Sequence, residues 1–144
     1  MKRLMGTSND VALTILRVVL GVVFFAHGAQ KMLGWFGGFG FHATVGAFTH
    51  LGMPAAMAYL IICTEFFAGL GLIFGLLTRI AAFGVGGLMV GAIFMVHLPF
   101  GFFMNWMGSQ KGEGIEFHLL ALAMAGALLL RGAGGFSLDG ALSK

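Results

Sequence analysis

Seven side chains combine a titratable or strongly hydrogen-bonding group with a place inside or beside a long apolar run: Arg17, His27, Lys31, Glu65, His97, Glu116 and His118. His27 and Lys31 are four residues apart, hence on one helical face, with Gln30 beside them. A carboxyl held in apolar surroundings, Glu65 or Glu116, can accept or deliver protons when a nearby cation tunes its ionisation. Histidines and a lysine can hydrogen-bond a lipid-soluble ligand and take part in proton transfer. A metal or b-type haem held by two of the three histidines is a second reading, but no HExxH or other ligand-spaced pair supports it. The plain alternative is that these side chains snorkel from an interface to water. His42 and His50, which lie between apolar runs, are expected to be solvated.

Such groups need elements to hold them. Of the 144 residues, 59% are apolar and 9% are charged, and the mean hydropathy is +0.99. Soluble domains carry about 25% charged residues, whereas long near-uncharged runs read as membrane-crossing helices. The expected fold is therefore all-α integral membrane. It is a four-transmembrane-helix bundle in a single domain, 1–144, with helices over about 10–32, 55–77, 79–97 and 115–131. Asp10 or Asn9 can cap the first helix, and Pro54 opens the second, where its missing N–H costs nothing. Residues 33–53 are too apolar for an ordinary loop and too broken by glycine for a crossing. They are expected to form an interfacial or re-entrant segment with Trp35 in the aromatic belt. Residues 98–114, with Trp106, form a second aromatic connector. Gly71 with Gly75, and Gly87 with Gly91, fit the GxxxG pattern of close packing and are expected to form intrachain seams.

The helical rise sets the depth of each polar group. Arg17, seven residues past Asp10, lies roughly 10 Å into the membrane. Glu65 lies near the midplane of a roughly 30 Å hydrocarbon slab, on a helix running the other way. The offset of about one helical turn makes an Arg17–Glu65 ion pair feasible. The pair could be a structural staple, or the arginine could tune a proton-handling carboxyl. His27, Lys31, His97, Glu116 and His118 fall in one slab near the opposite surface. Glu116 and His118 are about 200° apart on their helix, so at most one of them can face a common ligand. Lys2, Arg3, Arg79, Arg131 and Lys144 lie on one side, against Lys31 and Lys111 on the other. That bias puts both termini in the cytoplasm.

Other classes are excluded. The formal charge of +3 is scattered and makes no basic stripe for nucleic acid. Cys63 is the only cysteine, which rules out an intrachain disulfide, a CxxC pair and a cysteine metal cage. The apolar run after the Met-Lys-Arg start is too long for a signal-peptide core and is read as a retained helix.

Several short motifs occur in a set order: Arg17, Gly21, Phe24, His27-Gly28 and Gln30-Lys31; then Gly34 to Gly38; Glu65, Gly69 and Gly75 to Arg79; His97 and Gly101-Phe102; Gly114, Glu116 and Ser137 to Asp139. In these the chain resembles the DoxX family of small four-helix bacterial membrane proteins over nearly its whole length. The resemblance implies a place in the cytoplasmic (inner) membrane. It also implies membership of an oxidoreductase system, since some members are described as membrane parts of thiosulfate:quinone oxidation or of thiol and radical detoxification. By carry-over it marks Arg17, His27, Lys31, Glu65, His97 and Glu116 as site residues; His118 is outside the family pattern. The expectation is a quinone-interacting subunit in which His27, Lys31 and His97 bind the ring oxygens, with Arg17 and His118 as further ligand-binding candidates. Glu65 or Glu116 would move protons. No electron carrier is encoded, so electrons must come from a soluble or membrane redox partner or from a bound cofactor. The rival expectation is a non-catalytic membrane adaptor, or a lipid- or cargo-binding protein, whose buried charges serve folding. A homo-oligomer fits either.

Overall fold

Asp10 starts the first helix, α1 (Val11–Leu33), by accepting hydrogen bonds from the N–H groups of Ala12 (2.8 Å) and Leu13 (3.4 Å). Gly34 ends it in the left-handed conformation, φ 75°. The computed structural model describes residues 5–143. Lys2, Arg3 and Lys144, on which the expected orientation partly rests, lie outside them. Among the described residues every regular element is helical.

After α1 the chain makes a 3-10 turn at Trp35–Gly37 and a short helix, α2 (Phe41–His50). This connector folds back on the end of α1: Gly40 N–H donates to the Gln30 carbonyl (3.2 Å), and the Gln30 amide donates to the Phe36 carbonyl (3.3 Å). Phe41 of α2 stacks on Tyr59, with centroids 5.6 Å apart. Then come α3 (Ala55–Phe74) and α4 (Thr78–Ala92). Helix α3 stops three residues before the expected end because Gly75, φ 66°, takes the left-handed cap position. A π turn (Ile93–His97) and a 3-10 turn (Leu98–Phe100) continue α4. The chain closes with α5 (Glu116–Arg131) and α6 (Leu138–Leu142).

Three segments are long and apolar enough to cross a membrane: Val11–Leu33, Ala55–Phe74 and Thr78–Phe100. Helix α5, with 16 residues, measures about 24 Å, short of the roughly 30 Å hydrocarbon core. It packs on α4 and α1 and shares their core through Ala121, Ala125 and Leu128.

Helices α1 and α3 pack backbone against backbone. A Cβ at Gly21 would come within 2.7 Å of Ile73 N, and one at Gly28 within 2.5 Å of Phe66 Cα. From the other side, a Cβ at Gly69 would overlap the Phe25 backbone. Gly87 and Gly91, expected to be a seam, have nothing within 4 Å of a Cβ, while Gly75 is a helix cap. The intrachain seam is therefore Gly21, Gly28 and Gly69, which pack backbone against backbone.

At the end of the bundle where α1 begins, Arg17 is 1% exposed. All five of its N–H groups meet main-chain carbonyls: Nε to Ala133 (2.9 Å), Nη1 to Leu72 and Ile73 (both 2.7 Å), Nη2 to Gly135 (3.3 Å) and Phe136 (3.1 Å). The guanidinium thus caps the C-terminal end of α3 and ties it to the 133–136 turn. The Arg17–Glu65 pair expected from depth is not formed, because α3 offers the arginine its own terminal carbonyls instead. Asp139 completes this end. Its carboxylate accepts from Leu77 N (2.8 Å) and Thr78 N (2.9 Å), an N-cap for α4 supplied from 61 residues away. Leu77 itself sits at φ 50° and makes no side-chain cap.

Because the Gly28 seam leaves no room for a side chain, Gly28→Val is expected to cost about 3 kcal/mol. It would lower the melting temperature of the purified protein sharply. An unchanged melt would disprove the seam.

Candidate functional site

The Gly28 contact also positions the site. By bringing α1 against the backbone of Glu65 and Phe66, it sets Lys31, one turn further along the same face, beside Glu65. Lys31 Nζ lies 2.6 Å from Glu65 Oε2, with side chains 23% and 12% exposed. A lone charge in an apolar span costs at least about 2.5 kcal/mol, and the pair cancels both. The same ammonium approaches the His27 carbonyl at 3.5 Å. With three N–H donors, Lys31 keeps one free for an acceptor oxygen. The His27 ring is exposed and makes no hydrogen bond among the described residues. Phe66, next to Glu65, packs on Phe25 at 5.5 Å, and Phe25 meets Trp35 edge-on at 6.4 Å.

A second cluster lies between α4 and α5. His97, at the end of the π turn, and His118, in the first turn of α5, are 4.1 Å apart between ring centroids. His97 Nδ1 bonds the Glu113 carbonyl at 2.8 Å. Glu116 points elsewhere, as the angle between its position and that of His118 requires. Its Oε1 accepts from Met104 N (2.9 Å) and Trp106 Nε1 (3.1 Å), so it anchors the 98–115 connector. Glu113 stiffens the same loop through Asn105 N (2.6 Å).

The polar groups expected at one depth form two separate clusters of contacts. Among the described residues no hydrogen bond or ion pair joins Lys31–Glu65 to His97–His118. Arg17 has no donor left for a ligand. His42 and His50 are exposed. Among the described residues no three His, Cys, Asp or Glu side chains come close enough to hold a metal ion. Two imidazoles in ring contact also leave no space for a porphyrin between them, so His97 and His118 as placed do not fit a bis-histidine haem.

Sequence reasoning missed the structural weight of Asp139 and Glu113. The usable signal for Asp139 was a lone acid in an apolar tail, two residues after a helix-capping serine.

An outside comparison matches this pattern. The DoxX family model matches residues 12–98, from the first turn of α1 to the residue after His97. The chain belongs to the DoxX family. The matched region carries Arg17, His27, Lys31, Glu65 and His97, and stops before Glu116 and His118. Two DoxX-type relatives align over most of the chain. One, from Bacillus subtilis (strain 168), is named "Putative oxidoreductase CatD" and is 33% identical over 135 residues, 94% of this chain and 90% of its own. The other, from Escherichia coli (strain K12), is named "Inner membrane protein YqjF" and is 30% identical over 136 residues, 94% of this chain and 95% of its own. No solved structure matches. With its three apolar helices, this DoxX chain is a membrane protein.

Lys31→Met strands the Glu65 carboxylate. The expected loss is about 2–3 kcal/mol, less than for a fully buried pair because both groups keep some access to solvent. Adding Glu65→Leu should bring stability back to within about 1 kcal/mol of the parent. Denaturation of the two variants measures both, and a double variant no better than the single would show that the pair is not coupled.

Proposed function

We propose that this protein is the membrane subunit of an oxidoreductase system and binds a quinone beside the Lys31–Glu65 pair. The observation that carries the reading is an ion pair at 2.6 Å, set between two membrane-crossing helices, whose lysine retains a free donor. A quinone oxygen only accepts hydrogen bonds, and Lys31 Nζ supplies the donor. Glu65, in contact with the same ammonium, is the group that takes or gives the proton when the carrier changes state. Glu116, engaged twice by the connector, serves as its anchor. Electrons come from a redox partner, soluble or in the membrane. The name of the Bacillus relative supports the class of reaction.

In the same proposal α5 is the fourth crossing, and both termini face the cytoplasm. Arg79, which donates to the Leu129, Leu130 and Gly6 carbonyls, and Arg131 lie at the inner end. The segment after α1 lies at the outer interface, where Trp35 and Phe39 are exposed. A non-catalytic adaptor is the second reading. Its support is Arg17 and Asp139, two buried charges engaged wholly by main-chain groups.

A short-chain quinone titrated into the protein in nanodiscs should quench tryptophan fluorescence saturably, since Trp35 is linked to the site through Phe25 and Phe66. Lys31→Met should weaken binding by about tenfold, the worth of one hydrogen bond. Quenching that is linear, or the same with and without Lys31, would sink the quinone reading and leave the adaptor.

A further inference from the structure

The 98–115 connector carries a cleft that takes no part in the Lys31–Glu65 site. It lies where the crossing segment Thr78–Phe100 ends, has a volume of about 430 Å³, and is walled by Pro99, Phe100, Phe102 and Phe103. Gln110 and Lys111 supply its polar side chains. That volume falls in the range of small-molecule sites.

Both sides of the cleft are tied down by the connector itself. Gly114 N–H donates to the Phe103 carbonyl (3.1 Å) and Glu116 N–H to the Phe102 carbonyl (2.9 Å), which holds the phenylalanine side against the start of α5. The Asn105 side-chain amide brackets Gln110, accepting from its N–H (2.9 Å) and donating to its carbonyl (3.0 Å). Gly112 lies flat on the Phe100 ring, since a Cβ there would come within 2.7 Å of that ring. The backbone on either side of Lys111 is thereby pinned. A site fixed in advance loses little entropy when a ligand arrives.

The cation in this cleft has no partner of its own. Two carboxylates follow Lys111 within five residues, Glu113 and Glu116. Both are turned onto the connector's own N–H groups, Glu113 to Asn105 N and Glu116 to Met104 N and Trp106 Nε1. Among the described residues no carboxylate lies within ion-pair distance of Lys111. We propose that the cleft binds a small aromatic carboxylate. Its anion meets the Lys111 ammonium, with the Gln110 side-chain amide as a further donor, and its ring lies among the phenylalanine rings. One cation suits a monoanion. Ring walls favour a flat ring over a flexible chain, which gives up more rotamer freedom on binding. The site is separate from the one proposed at Lys31 and Glu65 and does not depend on it.

The test uses the full chain in phosphatidylcholine nanodiscs at neutral pH. The probes are 4-tert-butylbenzoate, the uncharged 4-tert-butylbenzamide, and octanoate, an anion on a flexible chain. Binding is read by calorimetry, with empty nanodiscs subtracted. The benzoate is expected to bind about tenfold more tightly than the benzamide, the worth of one charge-assisted contact. It should bind about threefold more tightly than octanoate. Lys111→Met changes an exposed side chain and leaves the phenylalanine walls in place; it should bring the benzoate within about twofold of the benzamide. Lys111→Arg, which keeps the charge, should retain the preference. Equal affinity of the parent protein for benzoate and benzamide overturns the proposal, and so does a preference that survives Lys111→Met. Octanoate bound as tightly as the benzoate overturns the aromatic assignment and gives the cleft to acyl-chain anions. The parent ratios need no variant, so they decide the matter even if a mutant misfolds.

Discussion

The close approach of α1 and α3 is the constraint on which the rest of the structure depends. Where Gly21, Gly28 and Gly69 meet the facing helix, there is no space for even one carbon beyond the backbone. In lipid the hydrophobic effect does not drive helices together, so such contact must come from dispersion and from polar groups that pair across the seam. Here both occur. The glycines let the axes close, and that closure brings Lys31 to Glu65 near one end and Arg17 to the last carbonyls of α3 near the other. Push the helices apart by one side chain and both charges lose their partners.

The two ends use their charges differently. Arg17 is fully satisfied by main-chain oxygens and has nothing left to offer a ligand. Asp139 caps α4 from the C-terminal segment in the same way. This end is a clasp: one cation and one anion, both drawn out of water, hold the termini of three helices. The other end is held less completely. Lys31 keeps a donor, His97 keeps an acceptor, and His118 keeps an unpaired nitrogen. Incomplete satisfaction is costly for a fold, and the clasp is not free of it, since Thr78 Oγ1 and Arg79 Nε beside it are buried without partners among the described residues. What sets the other end apart is an ion pair whose lysine and glutamate keep 23% and 12% of their side chains exposed.

The connectors fit that division. The 98–115 loop is rigid for its length because Glu113 and Glu116 turn their carboxylates onto its own N–H groups. It still exposes Phe103, Trp106 and Met107. A rigid backbone with an apolar exposed face suits a wall between a membrane-soluble ligand and water better than it suits a flexible lid.

How much of this was legible in the sequence depends on what hydropathy and rise can encode. Crossing segments, helical class, the Asp10 start and the list of polar groups are local properties, set by composition and by 1.5 Å per residue, and they can be read from the chain alone. Pairing is not local. Depth along the membrane normal allowed Arg17 to reach Glu65, but depth says nothing of rotation about each helix axis. That rotation is set by which glycines pack. Gly28 turns Lys31 toward Glu65, and Gly75 stops α3 early enough that its carbonyls, not its carboxylate, meet Arg17. The π turn before His97 likewise breaks the regular 100° step that any sequence reading assumes, and so sets His97 against His118. The sequence by itself determined what must be buried and that it needed partners. Only the tertiary structure decided which partner each charge took, because that choice depends on helix rotation and on backbone contact at the glycine seam.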